Sequence, residues 1–534
     1  MNRNDIVKIK AVRSVVLSAG KRMRGTGMKK EFMFAAAVLV PCVSLFADQP
    51  IDIGNRRELM IDHHLIDEFS GGARLQLNKP VRQEIALVTD APWEGNACHY
   101  RSVFQDGDRY RMYYGGYQYD VGPGRLTYPH RACLCYAESH DGVRWVKPEL
   151  GLVEFDGSVK NNIVFSAATL KEVAADPGHV AVFKDTNPHC PPDARYKAVV
   201  RSDSVPGLLA FRSADGFVFE LMQREPVITK GAFDSQNLAF WDGVRGEYRA
   251  YFRGLREGIR SIFTATSADF LHWTRPQRVE FPGAPQEHIY TNQVIPYERA
   301  PHIFTGFPMR YTDRGHVDST DKLPHPELRQ LRASNHPRYG SAVTDGLFMT
   351  SRDGRHFHRW GEALIRPGAA RTNAWVYGDN SAAWGIVTTK SAVDKAPDEL
   401  SMYVTEGYWT GSSLNVRRYS IRVDGFVSVN APLSGGALLT RPILFKGSRL
   451  TINYSTSAAG GIWFEILDVD GRPFEGFGQD ECYEIFGDEI ERTVTWKRGQ
   501  DVSCLSGKAV RLRVVLRDAD LYSFRFGGTE AGNE

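Results

Sequence analysis

Three acidic residues lie in short polar segments that precede buried, strand-like runs. Asp234 lies in "GAFDSQNLAFWDG" at 231–243, Glu94 in "PWEGNACHYRSVF" and Glu287 in "QEHIYTNQVIPY". Two or three carboxylates around one aromatic pocket can cleave a glycosidic bond, because one protonates the leaving oxygen and another acts as base or nucleophile. The sequence therefore predicts catalytic roles for Asp234, Glu287 and Glu94.

A second set of side chains has the chemistry to hold a sugar, since aromatic rings stack on sugar faces while amides and arginines bind hydroxyl groups. The predicted substrate-binding residues are Asn237, Gln236, His99, Arg101, Tyr290, Asn292, Arg310, Asp345, Trp375, Tyr377 and Glu406. For each acid taken alone, a turn cap or a surface charge is the alternative. That alternative is favoured for Asp345 and Asp353, which precede glycine, and it stays open for Glu94 and Glu287.

A repeated short phrase indicates which elements position these residues. Ser-x-Asp, usually followed by Gly and with an aromatic residue six positions after the Ser, begins at Ser139, Ser213, Ser267 and Ser351. Runs with a period of two precede it, such as "DRYRMYYGG" and "GEYRAYFRG". An Asp-Gly turn joins antiparallel strands, and the aromatic side chain packs back on the sheet. Recurrence of such a unit predicts a repeated all-β architecture.

The repeat predicts an all-β protein with a five-bladed β-propeller over residues 48–429 and a C-terminal β-sandwich over 430–534. Inner strands are expected near 99–104, 179–184, 236–241, 289–295 and 375–382. Ligands of such a fold bind at the mouth of the central channel, where these strands begin. A single large β-sandwich is the alternative for the repeat region, although the hairpins of a sandwich need not recur.

Residues 1–47 are predicted to be a leader. The segment "MKKEFMFAAAVLVPCVSLFA" at 28–47 has two lysines, an apolar run and a small final residue, the layout of a secretory signal peptide starting at Met28. The leader holds nine Lys/Arg and two Asp/Glu, so the formal charge falls from +3 for the whole chain to −4 for residues 48–534. We expect a secreted or periplasmic protein with no membrane span and no nucleic-acid partner.

Metal and cysteine chemistry is weakly specified by the sequence. No cysteine pair has the CxxC spacing of a zinc site. No cofactor is predicted, and a structural calcium ion is left open. Cys482 and Cys504 could form a disulfide in an oxidising compartment, while free buried cysteines are equally compatible with the sequence.

The combined pattern resembles a known enzyme superfamily, the five-bladed propeller glycosidases that include glycoside hydrolase families 32, 43, 62 and 68. Most closely, "RELMIDHHLID", "PWEG", "FDSQN", "YTNQVIPY", "GFPMRY" and "MTSRDG" resemble bacterial family-32-like N-terminal-domain proteins, over most of residues 50–530. The resemblance implies one acid from an early blade, one from the third and one further round the ring, where Glu94, Asp234 and Glu287 stand. The Asn-Asp-Pro-Asn and Arg-Asp-Pro signatures of invertases are absent, so fructan specificity is not implied.

The leading hypothesis is a secreted or periplasmic glycoside hydrolase acting on a plant or algal oligo- or polysaccharide. Asp234 and Glu94 are assigned as base or nucleophile and transition-state stabiliser, Glu287 as general acid and Glu406 as a reserve. The alternatives are a non-catalytic carbohydrate-binding protein, because a fold does not settle a function, and a lyase or phosphorylase on the same fold.

Overall fold

The computed structural model describes residues 49–170 and 173–528. The leader and its signal peptide lie outside these residues. Within the described residues the chain is almost entirely β-structure, so the predicted all-β class is confirmed. Three short α-helices interrupt it, at Asp318–Asp321, Pro326–Ala333 and Arg338–Ser341. No helix in the two described ranges is long and apolar enough to cross a membrane.

Five antiparallel sheets of four strands each, here numbered I to V, lie between residues 81 and 422 of the described chain. In pairing order their strands are Ser102–Asp106, Arg109–Gly116, Cys133–Ser139 and Ile163–Ser166 (sheet I); Ala175–Lys184, Tyr196–Ser202, Leu208–Ser213 and Glu220–Leu221 (sheet II); Leu238–Asp242, Glu247–Arg256, Ile259–Ser267 and Gln277–Arg278 (sheet III); Ile295–Tyr297, Ala300–Gly306, Met349–Ser351 and His358–Arg359 (sheet IV); Val387–Thr389, Glu399–Glu406, Asn415–Arg422 and Val81–Val88 (sheet V).

The hydrophobic core lies between neighbouring sheets. Val199 of sheet II, Tyr251 of sheet III and Phe304 of sheet IV belong to one buried cluster. Strands with neighbours on both faces lose the alternation of buried and exposed side chains, and Glu247–Arg256 is accordingly buried over seven consecutive positions.

Sheet V is completed by a strand from the opposite end of the chain. Val81–Val88 pairs antiparallel with Asn415–Arg422, with Leu87 opposite Val416. The first strand of this sheet is Val387–Thr389, whereas the sequence placed an inner strand at 375–382. That segment forms turns instead, with Trp375 and Asn380 in left-handed backbone conformations at φ of 62° and 63°, which a strand cannot accommodate.

The repeated Ser-x-Asp phrase ends the third strand of sheets I to IV, at Ser139, Ser213, Ser267 and Ser351. In each turn the Ser hydroxyl donates to the Asp carboxylate, as from Ser351 Oγ to Asp353 Oδ1 at 3.0 Å. The same Oδ1 accepts the N–H groups of the second and third residues after the Asp, both at 2.8 Å for Arg355 and His356. The phrase is therefore a side-chain-stabilised turn to the fourth strand.

Both ends of the described chain contribute to one further sheet of ten strands, here called the terminal sheet. Its strands are Ile51–Gly54, Arg57–Leu59, Ile66–Gly71, Arg74–Leu77, Val427–Ala431, Gly436–Thr440, Ile443–Phe445, Arg449–Leu467, Asp488–Thr493 and Ala509–Gly527. The long strand Ala509–Gly527 alternates buried and less buried residues along much of its length, as expected of a sheet with one face on a core. The predicted domain boundary at 429/430 stays a prediction.

Small elements are inserted between the sheets. A hairpin pairs Asp120–Gly122 with Arg125–Thr127, and a three-stranded sheet contains His288–Ile289, Met309–Asp313 and Ala342–Gly346. The hairpin contacts the end of the second helix, where Gly124 N donates to Ser334 Oγ at 2.9 Å and Asn335 Nδ2 to Gly122 O at 3.0 Å. All six cysteines in the described ranges are unpaired, Cys482 and Cys504 included.

Candidate functional site

One cavity, here called the central cavity, is lined by residues from all five sheets or the loops that enter them. Its volume is about 220 Å³, small beside the roughly 300–1,000 Å³ of drug-sized ligand sites. The lining consists of Ala97, His99, Tyr100, Tyr117, Tyr119, Leu126, Tyr128, His179, Asp234, Tyr290, Arg338, Tyr339, Tyr377, Tyr408 and Trp409. Eight tyrosines and one tryptophan give it the amphipathic aromatic walls that suit a small polar ring.

Asp234 is the one carboxylate among these lining residues. It precedes the first strand of sheet III, and its side chain is 65% exposed while that of its ion-pair partner Arg253 is 4% exposed. Arg253 also donates from Nη2 to the backbone oxygen of Asp234 at 2.5 Å. Desolvation alone would raise the pKa of Asp234, but the Arg253 guanidinium and, more weakly, His179 hold it below its usual range. Asp234 is thus an ionised group held in a fixed position.

A histidine–carboxylate pair lies beside it. His179 Nδ1 is 2.5 Å from Asp176 Oδ2, while Asp176 Oδ1 accepts from Tyr117 Oη at 2.9 Å and from Gly178 N at 2.9 Å. Burial alone would raise the pKa of Asp176, yet His179 and these hydrogen bonds hold it well below its usual range. Asp176 therefore stays ionised and fixes the ring, and Nε2 is the ring nitrogen left for a ligand or a proton.

The aromatic walls are connected to one another by hydrogen bonds and ring contacts. Tyr377 Oη donates to Tyr290 Oη at 2.8 Å, and the His99 ring stands edge-on to Tyr408 with centroids 5.1 Å apart. Burial raises the pKa of Tyr377 and Tyr408 well above the ordinary value, so both hydroxyls stay protonated and can donate. The guanidinium of Arg253 lies 4.9 Å from the centroid of the Tyr290 ring. This cation–π contact helps to hold the ring in place.

The amides that follow Asp234 are turned away from the cavity. Gln236 Nε2 donates to Arg101 O at 3.1 Å and Gln236 Oε1 accepts from Gln293 Nε2 at 2.7 Å. Asn237 Nδ2 donates to Phe233 O at 3.0 Å and Ser235 O at 2.9 Å. Both amide side chains are buried. Gln236 joins its loop to the segments at Arg101 and Gln293, whereas Asn237 bonds within its own loop.

Glu94 lies outside the central cavity. Its side chain is fully buried, with Lys147 Nζ 2.6 Å from Oε2 and Tyr114 Oη donating to Oε1 at 2.5 Å. It also accepts the backbone N–H of Ala91 at 2.9 Å. These contacts occupy both carboxylate oxygens, so in this conformation Glu94 stabilises the loop 91–94 and offers no free oxygen to a ligand.

Glu287 lies in a different cavity, together with four arginines. Arg310 Nη1 is 3.1 Å from Glu287 Oε1, and Arg359 Nη1 is 2.6 Å from Glu287 Oε2. Arg310 also forms a two-pronged pair with Asp345, at 2.9 Å and 2.6 Å. Glu287, Arg310 and Asp345 thus form one ion-pair network between the three-stranded sheet and sheet IV.

The other predicted residues are divided between the cavity and the interior. His99, Tyr290, Tyr377 and Asp234 meet in the central cavity. Arg101 and Asn292 are buried outside its lining. Glu406 is bound by Arg82 at 2.9 Å, Arg371 at 3.1 Å and Arg417 at 3.1 Å, and Trp375 Nε1 donates to Gly368 O at 2.8 Å. The catalytic and binding roles assigned from sequence stay predictions.

Several residues in or beside the cavity were not selected from the sequence. Asp176 lies three positions before His179 in the segment "ADPGHV", and that spacing was a usable signal. Arg253 is an arginine inside a buried strand run, and a buried charge of this kind indicates a carboxylate partner. Arg338 and Tyr339 come from the short third helix, and nothing in the local sequence pattern indicated that this insertion reaches the site.

No known family model matches this sequence, and no curated protein matches it. Solved structures to which this chain is similar include a thermostable family-43 glycoside hydrolase, at 11% identity and TM-score 0.41, covering 65% of this chain and 95% of that one. An N-acetylgalactosamine deacetylase from F. plautii matches at 13% identity and TM-score 0.40, over 65% of this chain and 94% of that one. An α-L-arabinofuranosidase from Clostridium thermocellum matches at 13% identity and TM-score 0.35, over 61% and 91%. The names of all three neighbours denote enzymes that act on glycans.

Proposed function

We propose that sheets I to V are the blades of a five-bladed β-propeller whose ligand site is the central cavity. The support is that each sheet contributes to the same cavity from the start of its first strand or the loop before it, through His99, His179, Asp234, Tyr290 and Tyr377. The terminal sheet and its own buried core form the accessory β-sandwich module in this proposal. The family-32-like relationship stays a prediction from the sequence motifs.

Within this architecture the protein is a glycoside hydrolase, and the central cavity is where it binds the sugar next to the bond that is cleaved. The observation that carries this proposal is one fixed, ionised carboxylate, Asp234, inside walls of eight tyrosines and one tryptophan. Stacking on aromatic faces and hydrogen bonds from protonated tyrosine hydroxyls favour a sugar ring over an apolar ligand. A plant or algal glycan and a secreted or periplasmic location are proposed from the sequence.

The ionised state of Asp234 determines its role. A carboxylate whose pKa lies below the usual range acts as base or nucleophile and cannot also be the proton donor near neutral pH. His179, oriented by Asp176, is the group placed to give or take a proton through Nε2. Glu94 and Glu287 keep their predicted roles only if ligand binding frees them from Lys147 and from Arg310 and Arg359.

A lyase is the second candidate, because the cavity holds one carboxylate together with groups that suit an elimination. Hydrolysis by inversion or retention uses two carboxyl groups, whereas the described lining holds one. Elimination from a uronate sugar needs a base for the carbon-bound proton and a donor for the leaving oxygen. His179 and the tyrosine hydroxyls supply both kinds of group.

The proposal is tested with Asp234→Asn, which keeps the shape of the side chain and removes its charge. On any plant or algal polysaccharide that the wild type cleaves, we expect kcat to fall by about 10²–10⁴, the usual contribution of an acid–base group, with binding retained. Products formed in ¹⁸O-labelled water distinguish hydrolysis, which incorporates the label, from elimination, which gives an ultraviolet-absorbing unsaturated product.

A control variant at an exposed acid is compared with Asp234→Asn. Asp394→Ala changes an exposed acid far along the chain and should leave turnover unchanged. Full turnover by Asp234→Asn would contradict the assignment of this residue. Binding of a glycan by the wild type with no product from it would instead support the non-catalytic alternative.

A further inference from the structure

A second cavity, here called the arginine cavity, lies at the edge of sheet III. Its volume is about 240 Å³, and Arg256, Arg260, Arg278 and Arg359 contribute to its lining. Three glutamates also line it, so guanidinium groups outnumber carboxylates. Four arginines around one small space repel one another unless anions compensate their charges. An arginine without a carboxylate partner is therefore a candidate to bind an anion from outside the chain.

Three of the arginines have carboxylate partners. Arg278 Nη2 is 2.5 Å from Glu280 Oε2, Arg256 Nε is 3.5 Å from Glu257 Oε1, and Arg359 Nη1 is 2.6 Å from Glu287 Oε2. Glu287 also pairs with Arg310, so its single negative charge is divided between Arg310 and Arg359. The Nε atom of Arg359 has no hydrogen-bond partner in the described chain, although the side chain is only 1% exposed.

Arg260 forms no ion pair with any carboxylate in the described ranges. Its guanidinium lies 5.3 Å from the centroid of the Tyr290 ring and 5.0 Å from that of Tyr311. Its polar neighbour is His288, whose Nδ1 is 3.4 Å from Arg260 Nη1. Burial and the charge of Arg260 both lower the pKa of His288. An imidazole carries no negative charge in either protonation state, so His288 does not compensate the guanidinium.

Tyr290 connects the two cavities. It lines the central cavity, and the guanidinium groups of Arg253 and Arg260 both stack on its ring, at 4.9 Å and 5.3 Å. Arg253 holds Asp234 on the side of the central cavity, while Arg260 belongs to the arginine cavity. The guanidinium of Arg260 is therefore separated from the wall of the central cavity by a single aromatic ring.

We propose that the arginine cavity is an anion-binding subsite for the carboxylate or sulfate group of an acidic glycan. The inference rests on the proposed sugar-binding role of the central cavity and deepens it by naming the substrate class. Guanidinium groups bind both oxyanions through paired N–H donors, and Arg260 and the Nε atom of Arg359 are the donors that the chain itself leaves without an anion.

The test compares charged and neutral sugars of the same ring type. Binding of D-glucuronate, D-galacturonate, D-glucose 6-sulfate and D-glucose to the full chain is measured by titration calorimetry at millimolar concentrations. At least one charged sugar should bind ten times or more tighter than glucose, and rising salt should weaken it. Preference for the uronates assigns the subsite to carboxylates, and preference for the sulfated sugar assigns it to sulfate esters.

Arg260→Gln should abolish this preference. Arg275→Gln makes the same change at an exposed position just before the last strand of sheet III, outside the cavity lining, and should preserve it. Equal binding of charged and neutral sugars by the wild type, no binding of any charged sugar, or an unchanged preference in Arg260→Gln would overturn the proposal. Cleavage of a glycan without any preference for charged sugars would contradict only the proposal of an anion-binding subsite. A preference for charged sugars without cleavage of any glycan would contradict only the proposal of a glycoside hydrolase.

Discussion

At the scale of single residues, the chemistry of the central cavity depends on Arg253. Its guanidinium is buried between Asp234 and the Tyr290 ring, where it neutralises a carboxylate that reaches into the cavity. A buried cation beside an exposed acid keeps that acid ionised and holds its carboxylate in one position. By contrast, the cations around Glu94, Glu287 and Glu406 enclose those carboxylates. The position of the cationic partner and the burial of the carboxylate thus separate an available acid, such as Asp234 at 65% exposure, from a structural one, such as Glu94 at 0%.

Replacing Arg253 by Gln should change the pH dependence of turnover. Without the guanidinium, desolvation is left to raise the pKa of Asp234. The acid limb of the profile of kcat/KM against pH, which reports ionisation of the free enzyme's base, should then move to higher pH. Arg253→Lys keeps the charge and should leave the limb near its wild-type position. An unshifted limb in Arg253→Gln would show that Asp234 is not the group being titrated.

At the scale of elements, the Ser-x-Asp turns fix the geometry of sheets I to IV. Each turn satisfies two backbone N–H groups and one hydroxyl with a single carboxylate oxygen. The aromatic residue six positions after the Ser then returns to the sheet, as with Trp145 and Phe357, which are both buried. This local chemistry is why the phrase could be interpreted correctly from sequence alone.

Asp353→Ala should destabilise the protein by about 1–2 kcal/mol, the usual cost of losing a charged acceptor that caps backbone N–H groups. The hydrogen bonds lower the pKa of Asp353 from 3.8 to about 2. Its contribution to stability is therefore present above the unfolded pKa and is lost as the pH falls towards the folded one. Urea unfolding at neutral pH and near pH 3 measures this difference, with Asp394→Ala as the exposed control; a difference independent of pH would contradict the capping role.

The short helices between residues 318 and 341 show what element-level prediction missed. The longest, Pro326–Ala333, has eight residues, which is too short for a clear helical periodicity in the sequence. Its contacts with the hairpin at 120–127 hold the insertion in place. Arg338 and Tyr339 reach the cavity only because of that long-range contact.

At the scale of the whole molecule, a buried carboxylate joins sheets IV and V to the terminal sheet. Asp424, in the turn after the Asn415–Arg422 strand, accepts from Tyr297 Oη at 2.7 Å and Arg299 Nε at 3.1 Å. It also accepts from Ser523 Oγ at 2.8 Å, and Arg57 Nη1 is 3.5 Å away. A fully buried charge with partners on both sides couples the stability of the two parts.

Asp424→Ala should cost about 3–5 kcal/mol, because it removes the buried anion shared by Arg57, Arg299 and Tyr297. Calorimetry should show the wild type unfolding in one transition and the variant at a lower Tm. Arg299→Gln, which removes one partially exposed donor and leaves Asp424 with the others, should cost less. A wild type that unfolds in two separate transitions would contradict the coupling.

The sequence by itself determined the all-β class, the turns that end the third strands and the polar start of the strand after Asp234. These features depend on alternation and turn chemistry within a few residues, so they are visible in one dimension. Only the tertiary structure decided which acids meet. Asp234, Glu94 and Glu287 look alike in sequence, but Lys147, Arg310 and Arg359 come from distant segments and enclose the latter two. Likewise, the partners of Asp234 in the cavity are set by how the sheets and the inserted helices pack.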